Sequence, residues 1–372
     1  MTRMLALVTD GFGGRGGIAR YNCDLLCVLA AAGWQITVVP RYAPDPEFPP
    51  SGITQYPAAS GRLRYVLRVC YAVLSRPPQV VFCGHLFMAP LALIAARLSG
   101  ARLVVQTHGI EAWRRPGALV RASCAAASLI LSVSRYTRAQ VLKWTLLAPE
   151  RVRVLPDTYG AAFAPAVASA QQSIVPEGRT VLLTVGRLDR REAYKGQDRV
   201  IAALPALIAA GYDVHYLVAG EGDDRPRLEA LARHHGVAER VEFVGAVPRE
   251  RLIELYRHAD LFVMPSTGEG FGIAFVEAMA CGTPALGLGV GGARDALGDG
   301  ALGIMVGPEE DLAANLAAQL ASGGLRGAQL SAAVEARFGP GQFAAQARLL
   351  FERLQVTGSR RAMGETGDDG GY

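Results

Sequence analysis

Residues 4–9 read MLALVT and residues 10–17 read DGFGGRGG, and this junction decides the fold class. The first run is apolar without interruption and of strand length, as for a strand buried on both faces. The second is a glycine-rich turn. Beyond it Tyr21, Leu25, Leu26, Leu29 and Ala30 fall on one helical face, which ends at Gly33. Residues 35–39 form the next strand. A helix that carries the chain from one such strand back to the next makes the two strands parallel, which is the βαβ unit.

The same alternation runs outward from this opening. Helix 63–74, strand 80–83, helix 90–98, strand 102–106, helix 117–127, strand 129–133, helix 134–142 and strand 152–155 follow in turn. Such a series predicts a parallel sheet covered by helices on both faces. Residues 156–178, PDTYGAAFAPAVASAQQSIVPEG, break the rhythm with prolines and no period, and read as a linker. A second series then begins: strand 180–185, helix 197–210, strand 213–219, helix 224–235, strand 241–244, helix 248–258, strand 261–264, helix 272–281 and strand 284–288, with helices near 309–321 and 341–354. The expectation is an α/β chain of two Rossmann-like domains, 1–155 and 179–340, with a C-terminal helix over 341–357. Two such domains joined by a linker leave a cleft between them. The Gly- and charge-rich end, 358–372, is expected to be disordered.

The chain's 372 residues, at roughly 150 per domain, agree with two domains. A hydrophobic fraction of 51% and a mean hydropathy of +0.21 exclude disorder of the whole. Charge is divided unevenly: residues 1–170 hold 18 Lys and Arg against 7 Asp and Glu, and the remainder holds 20 against 26. The arginines of the first half are scattered rather than concentrated, and aromatics make up only 7% of the chain, which argues against nucleic acid. An anionic membrane or a phosphorylated substrate fits them at least as well. Only Lys143 and Lys195 are lysine among 38 basic residues. The cysteines, at 23, 27, 70, 83, 124 and 281, lack the Cys-x2-Cys spacing of a zinc or redox motif and read as reduced core residues. The N-terminal apolar run is too short for a signal peptide, and the most apolar internal stretch, 86–96, is about half of the ~20 residues that span a bilayer. The expected location is the cytoplasm, with peripheral contact at the inner face of the plasma membrane.

Four places carry candidate chemistry. Gly11–Gly16 satisfies G-x-G-x-x-G between a strand and a helix, the dinucleotide fingerprint. The acidic residue that confirms that fingerprint is missing, since Pro40 and Arg41 stand there; Arg41 would suit a 2′-phosphate, so an NADP-dependent oxidoreductase stays open. In either case Gly16 and Gly17 let backbone amides approach a phosphate at a positive helix end. His108 follows the strand 102–106, where open α/β sheets bind ligands. Arg187 leaves the first strand of the second series and Lys195 precedes its first helix. A cation at a helix start is disfavoured unless something anionic compensates, and two of them suit a pyrophosphate. Residues 265–282, PSTGEGFGIAFVEAMACG, place Glu269 before a helix, Glu277 inside it, and the amides of Gly270, Phe271, Gly272 and Ile273 at its start. Glu277 lies in an apolar segment and so needs hydrogen-bond donors, which a ribose diol supplies. Two carboxylates alone would also fit a glycoside hydrolase, but that leaves the phosphate-type loop unexplained.

With these residues in view the sequence resembles the retaining, sugar-nucleotide-dependent glycosyltransferases of family 4, which have the GT-B architecture. VGRLDRREAYKGQDRVI, VAGEGDDRPRLEALA, VEFVGAVP and HADLFVMPSTGEGFGIAFVEAMACGTP are similar to successive blocks of that family, with GGIARY and THGIEAW as weaker matches. The resemblance implies that Gly16 and Gly17 approach the donor diphosphate and that Arg187 and Lys195 neutralise it. It implies that Glu277 holds the ribose, that Glu269 with Phe271, Gly272 and Ile273 holds sugar and phosphates, that Val244 lies where the base packs, and that His108 contacts the transferred sugar. It also implies a nucleotide-sugar donor, GDP-mannose ahead of a UDP-sugar, and a lipid-linked or glycan acceptor of envelope or exopolysaccharide assembly. No Asp-x-Asp stands at a suitable strand end, so metal independence is expected. The alternatives are a UDP-dependent glucosyl- or N-acetylglucosaminyltransferase, a sugar-nucleotide epimerase or phosphorylase of the same architecture, and an inert nucleotide-sugar-binding protein.

Overall fold

The computed structural model describes residues 1–42, 47–166 and 178–362, with side chains to Leu354. The chain divides into two compact units. The first comprises Met1–Ser132, Arg138–Leu155 and the C-terminal segment from Gly341; the second comprises Val133–Thr137 and Pro156–Pro340.

The first unit holds a seven-stranded sheet of β1 (Arg3–Asp10), β2 (Gln35–Tyr42), β3 (Ile53–Gln55), β4 (Val80–Cys83), β5 (Arg102–Thr107), β6 (Leu129–Ser132) and β7 (Val152–Val154). Their spatial order is β3-β2-β1-β4-β5-β6-β7, and every pairing is parallel. All four residues of β4 are buried, as are those of β6, which is why both read as unbroken apolar runs. The order reverses between β1 and β4. At such a switch point the crossover helices leave on opposite faces and open a crevice beyond the carboxyl ends of the two strands.

The second unit repeats the plan with six strands: β8 (Thr180–Val185), β9 (Val214–Ala219), β10 (Val241–Gly245), β11 (Leu261–Met264), β12 (Ala285–Leu288) and β13 (Ile304–Val306). They lie in the order β10-β9-β8-β11-β12-β13, so the switch point falls between β8 and β11. Leu182, Tyr216, Val218, Val263 and Leu286 lie in one buried cluster with the helix Gln197–Ala209.

Five segments depart from the pattern in the sequence. The linker expected over 156–178 begins as packed chain, because Tyr159 and Phe163 are buried and Thr158 Oγ1 donates to Phe338 O at 2.8 Å; its residues 167–177 lie outside those described. The last helix runs Pro340–Ala362, beyond the expected start of the tail at Gly358, and the rest of that tail, 363–372, also lies outside the described residues. The helix Gly327–Phe338 and the short strands β3 and β13 have no counterpart in the sequence reading.

Candidate functional site

In the second unit Arg187, Lys195 and Glu269 collect where the topology reverses. Arg187 leaves the carboxyl end of β8, and Glu269 lies in the loop after β11, the two strands that flank the switch point. Close backbone contacts bring their loops together. Gly196 has φ 81°, and a Cβ there would sit 2.6 Å from Pro265 O, so only glycine lets this helix start meet the loop after β11. Thr267 N–H donates to Tyr194 O at 2.9 Å, and the Tyr194 ring covers Gly268. Lys195 is thereby carried to Glu269, Nζ to Oε1 3.2 Å. Burial works against the Lys195 charge, but Glu269, Tyr194 and Glu192 outweigh it and hold the ammonium above the ordinary lysine range.

The Glu269 loop is closed from its other side by Gly291 and Gly292. Gly292 N–H donates to Glu269 O at 2.8 Å, and a Cβ on Gly292 would overlap Gly270 O. Gly272, with φ 98°, starts the helix Ile273–Ala280, whose first amides face the loop without a side-chain cap. Phe271 turns inward and meets the Phe338 ring edge-on at 5.3 Å. Glu277 is buried in that helix and accepts from the Tyr256 hydroxyl at 3.2 Å. Burial and Glu277 together push the Tyr256 phenol well up, so the hydroxyl stays a donor. Val244 lies near the carboxyl end of β10, half-buried. The acidic pair Asp223-Asp224 is taken up locally, Asp223 accepting from Arg190 N–H and Asp224 from the Arg227 guanidinium, both of whose bonds measure 2.7 Å.

In the first unit the glycine turn after β1 is held by Gln55 of β3, whose amide accepts from Phe12 N–H and donates to Phe12 O, both at 2.9 Å. A Cβ at Gly11 would overlap Gln55 Oε1, so this glycine serves the clamp. Gly16, with φ 92°, has open space where its Cβ would be, and Gly17 begins the helix Gly17–Ala31. Arg41 lies within β2 with its guanidinium against the Tyr42 ring.

His108 follows β5. Its Nε2 lies 2.9 Å from Gly84 O and so carries the proton, which leaves Nδ1 as the acceptor. Tyr21 meets its ring edge-on at 5.4 Å, and His108 N–H donates to Glu111 at 2.5 Å. The sequence reading missed His85, which follows β4 and lies 6.1 Å from His108, ring to ring. Burial lowers both imidazoles against the pull of Glu111, His85 to about 4, so both rings are neutral near pH 7. His85 stands one residue past Gly84, at the carboxyl end of a switch-point strand, and that position was the available signal.

Comparison with known proteins settles the family. The model for glycosyltransferase family 4 matches residues 15–157, and the model for glycosyl transferases group 1 matches residues 168–333. The chain belongs to the family-4 glycosyltransferases. It has the GT-B fold: sucrose-phosphate synthase of Thermosynechococcus elongatus superposes with a TM-score of 0.79 at 23% identity, over 95% of this chain and 100% of that one. Anabaena HepE in complex with UDP and glucose gives 0.76 at 18% identity, over 96% and 100%. Among sequence relatives, this transferase is 34% identical over 235 residues to the GDP-mannose-dependent alpha-(1-6)-phosphatidylinositol monomannoside mannosyltransferase of Mycolicibacterium smegmatis, covering 59% of this chain and 61% of that protein. It is 28% identical over 255 residues to a phosphatidylinositol N-acetylglucosaminyltransferase subunit of Arabidopsis thaliana, covering 66% and 54%. Both matches span less than two thirds of the relative. The D-inositol 3-phosphate glycosyltransferase of Acidothermus cellulolyticus matches at 28% over 81% of this chain and 76% of its own length. Family membership replaces the oxidoreductase alternative for the glycine-rich turn.

Proposed function

We propose that the protein transfers a hexose, with retention of configuration, from a nucleotide sugar to a lipid-linked or glycan acceptor. The observation that carries this is the meeting of Arg187, Lys195, Glu269 and the uncapped Gly270–Ile273 amides at the β8/β11 switch point of the second unit. Two cations and a helix start answer the charge that grows on a departing diphosphate, and a fixed site does so without reorganising at the moment of reaction. Glu277, already hydrogen-bonded to one hydroxyl, is suited to accept from those of a ribose. Glu269 takes the transferred sugar, Val244 the base side, and Gly16, Gly17 and His108 carry the roles that the resemblance gives them, the lone pair of His108 Nδ1 accepting from a sugar hydroxyl.

In the step we infer, the bond between the anomeric carbon and the diphosphate oxygen breaks and the acceptor hydroxyl oxygen bonds to that carbon on the same face. The acceptor's proton goes to the departing diphosphate, and no protein nucleophile is required. Arg187 and Lys195 supply the countercharge, so transfer is expected to survive EDTA; complete loss restored by Mn²⁺ or Mg²⁺ would overturn this part.

GDP-mannose is the favoured donor, because a relative is named as a GDP-mannose-dependent mannosyltransferase. UDP-glucose is the second, because a structural neighbour was solved with it. A thermal-shift panel of GDP-, UDP- and ADP-sugars decides between them: at 100 times Kd the true donor adds about 2.7 kcal/mol of stability. No shift with any of them would remove the donor-site reading. Glu269→Ala should bind nucleotide at least as tightly as wild type and lose transfer.

The acceptor side is read from the first unit. No Asp or Glu stands between Glu47 and Glu111, a stretch with six arginines. Within it the helix Arg62–Ser75 buries Tyr65, Val69, Ala72 and Val73 and exposes Leu63, Leu67, Tyr71 and Leu74 beside Arg62 and Arg64. A solvated helix is polar on its outer face; apolar side chains among arginines there suit the interface of an anionic bilayer. No described helix is long and apolar enough to cross a membrane.

A further inference from the structure

Glu192 lies in the short helical turn Arg190–Lys195, in the chain between the two cations of the donor site. The turn is pinned at its start, where Arg191 N–H donates to Asp189 and Arg190 N–H to Asp223, each at 2.9 Å. The Glu192 carboxylate then bridges the cations: Oε1 pairs with Arg187 Nη2, and Oε2 lies 3.9 Å from Lys195 Nζ. Its side chain is only 12% exposed, whereas that of Arg187 is 76% exposed. A carboxylate so nearly buried is held there by cations, and Glu269 on the far side of Lys195 has the same need.

A diphosphate brings two or three negative charges to the same two cations. Glu192 cannot stay between them and the phosphates without close like-charge repulsion. Resting on the donor-site reading above, we propose that Glu192 is a built-in counter-ion. It keeps Arg187 and Lys195 gathered while the site is empty, competes with the diphosphate for them, and so weakens nucleotide binding and hastens release of the nucleoside diphosphate product. A residue that only positioned the cations would have the opposite effect when removed.

The test is Glu192→Gln, which keeps size and hydrogen bonding and removes the charge. Titration calorimetry with GDP, UDP and ADP should show about tenfold tighter binding of whichever diphosphate the wild type accepts, the scale of one like charge at a partly screened site. Binding of the parent nucleoside should not change. In turnover, the donor KM should fall and inhibition by the diphosphate product should strengthen. Arg187→Ala should weaken diphosphate binding, and adding Glu192→Gln should recover part of the loss by freeing Lys195. Diphosphate binding equal to or weaker than wild type in Glu192→Gln, with the melting temperature retained, overturns the proposal. If neither wild type nor variant binds any of the three diphosphates, the donor-site reading falls and the counter-ion role with it.

Discussion

The Lys195–Glu269 pair and the Glu277–Tyr256 pair show how this protein keeps charge in an apolar surround. Each carboxylate accepts from a protein donor at 3.2 Å. Tyr256→Phe removes a donor from a buried carboxylate and should cost about 1–3 kcal/mol, read as a lower urea midpoint; an unchanged midpoint would show that Glu277 does not depend on that hydroxyl. The histidines of the first unit make a pH prediction. Burial places the folded-state pKa of His85 at about 4, below the ordinary 6.5. The unfolded chain therefore binds the proton first as pH falls. The stability from the neutral ring is complete above about 6.5 and is lost between there and about 4. His85→Gln should flatten that limb of the stability curve, measured as urea midpoints at pH 7 and pH 5, and a slope equal to wild type would contradict the assignment. Little of this was legible in the sequence. Lys195 stood out because lysine is scarce, and Glu277 because a charge in an apolar helix needs partners. His85 had only its place just past a strand end to mark it, and Glu192 and Tyr256 carry no such signal, because what sets Tyr256 apart is a neighbour distant along the chain and Glu192 lies in a turn without apolar period.

At the level of elements, most strands and helices were legible, since parallel strands buried on both faces appear as apolar runs and covering helices keep their 3.6-residue period. What escaped was mostly short, the helix Gly327–Phe338 apart. β3 spans only Ile53–Gln55, too few residues for any alternation to show, yet it supplies the side chain that braces the first glycine turn. The motif Gly11–Gly16 suggested glycines chosen for a ligand, and the structure gives Gly11 to packing against Gln55 while leaving Gly16 open. Gln55→Ala should remove two hydrogen bonds to Phe12 and cost about 1–3 kcal/mol in total. Gly11→Ala should cost at least as much, because its methyl group occupies the position of Gln55 Oε1. The double variant should be less destabilised than the sum, since the shortened side chain makes room for that methyl; strict additivity in thermal denaturation would mean that the two do not meet.

Across the whole molecule, the sequence arithmetic and the exposed surface converge on the first unit. The excess of 18 cations over 7 carboxylates lies in residues 1–170. Of the large apolar side chains exposed among the described residues, only Tyr136 and Leu325 belong to the second unit. Charge alone would leave these arginines as solvated surface, and exposed leucines alone would leave open a protein partner. Together, on the helix Arg62–Ser75, they favour anionic lipid, to which each arginine near the surface contributes about 1 kcal/mol. The purified transferase should co-sediment with vesicles containing phosphatidylglycerol and not with pure phosphatidylcholine, and the bound fraction should fall as salt rises from 50 to 500 mM, as screening requires (~10 Å Debye length at 0.1 M). Replacing Arg62, Arg64 and Arg68 by Gln should lower the partition coefficient about 100-fold, on the scale of three surface charges. Leu67→Asp with Leu74→Asp should lower it further at high salt, where the apolar contribution remains. Both variants should keep the wild-type melting temperature, because Arg62, Arg64, Leu67 and Leu74 are exposed and Arg68 only half-buried. Sedimentation that ignores lipid charge, or that survives loss of the arginines, would return this face to plain solvent or to a protein partner.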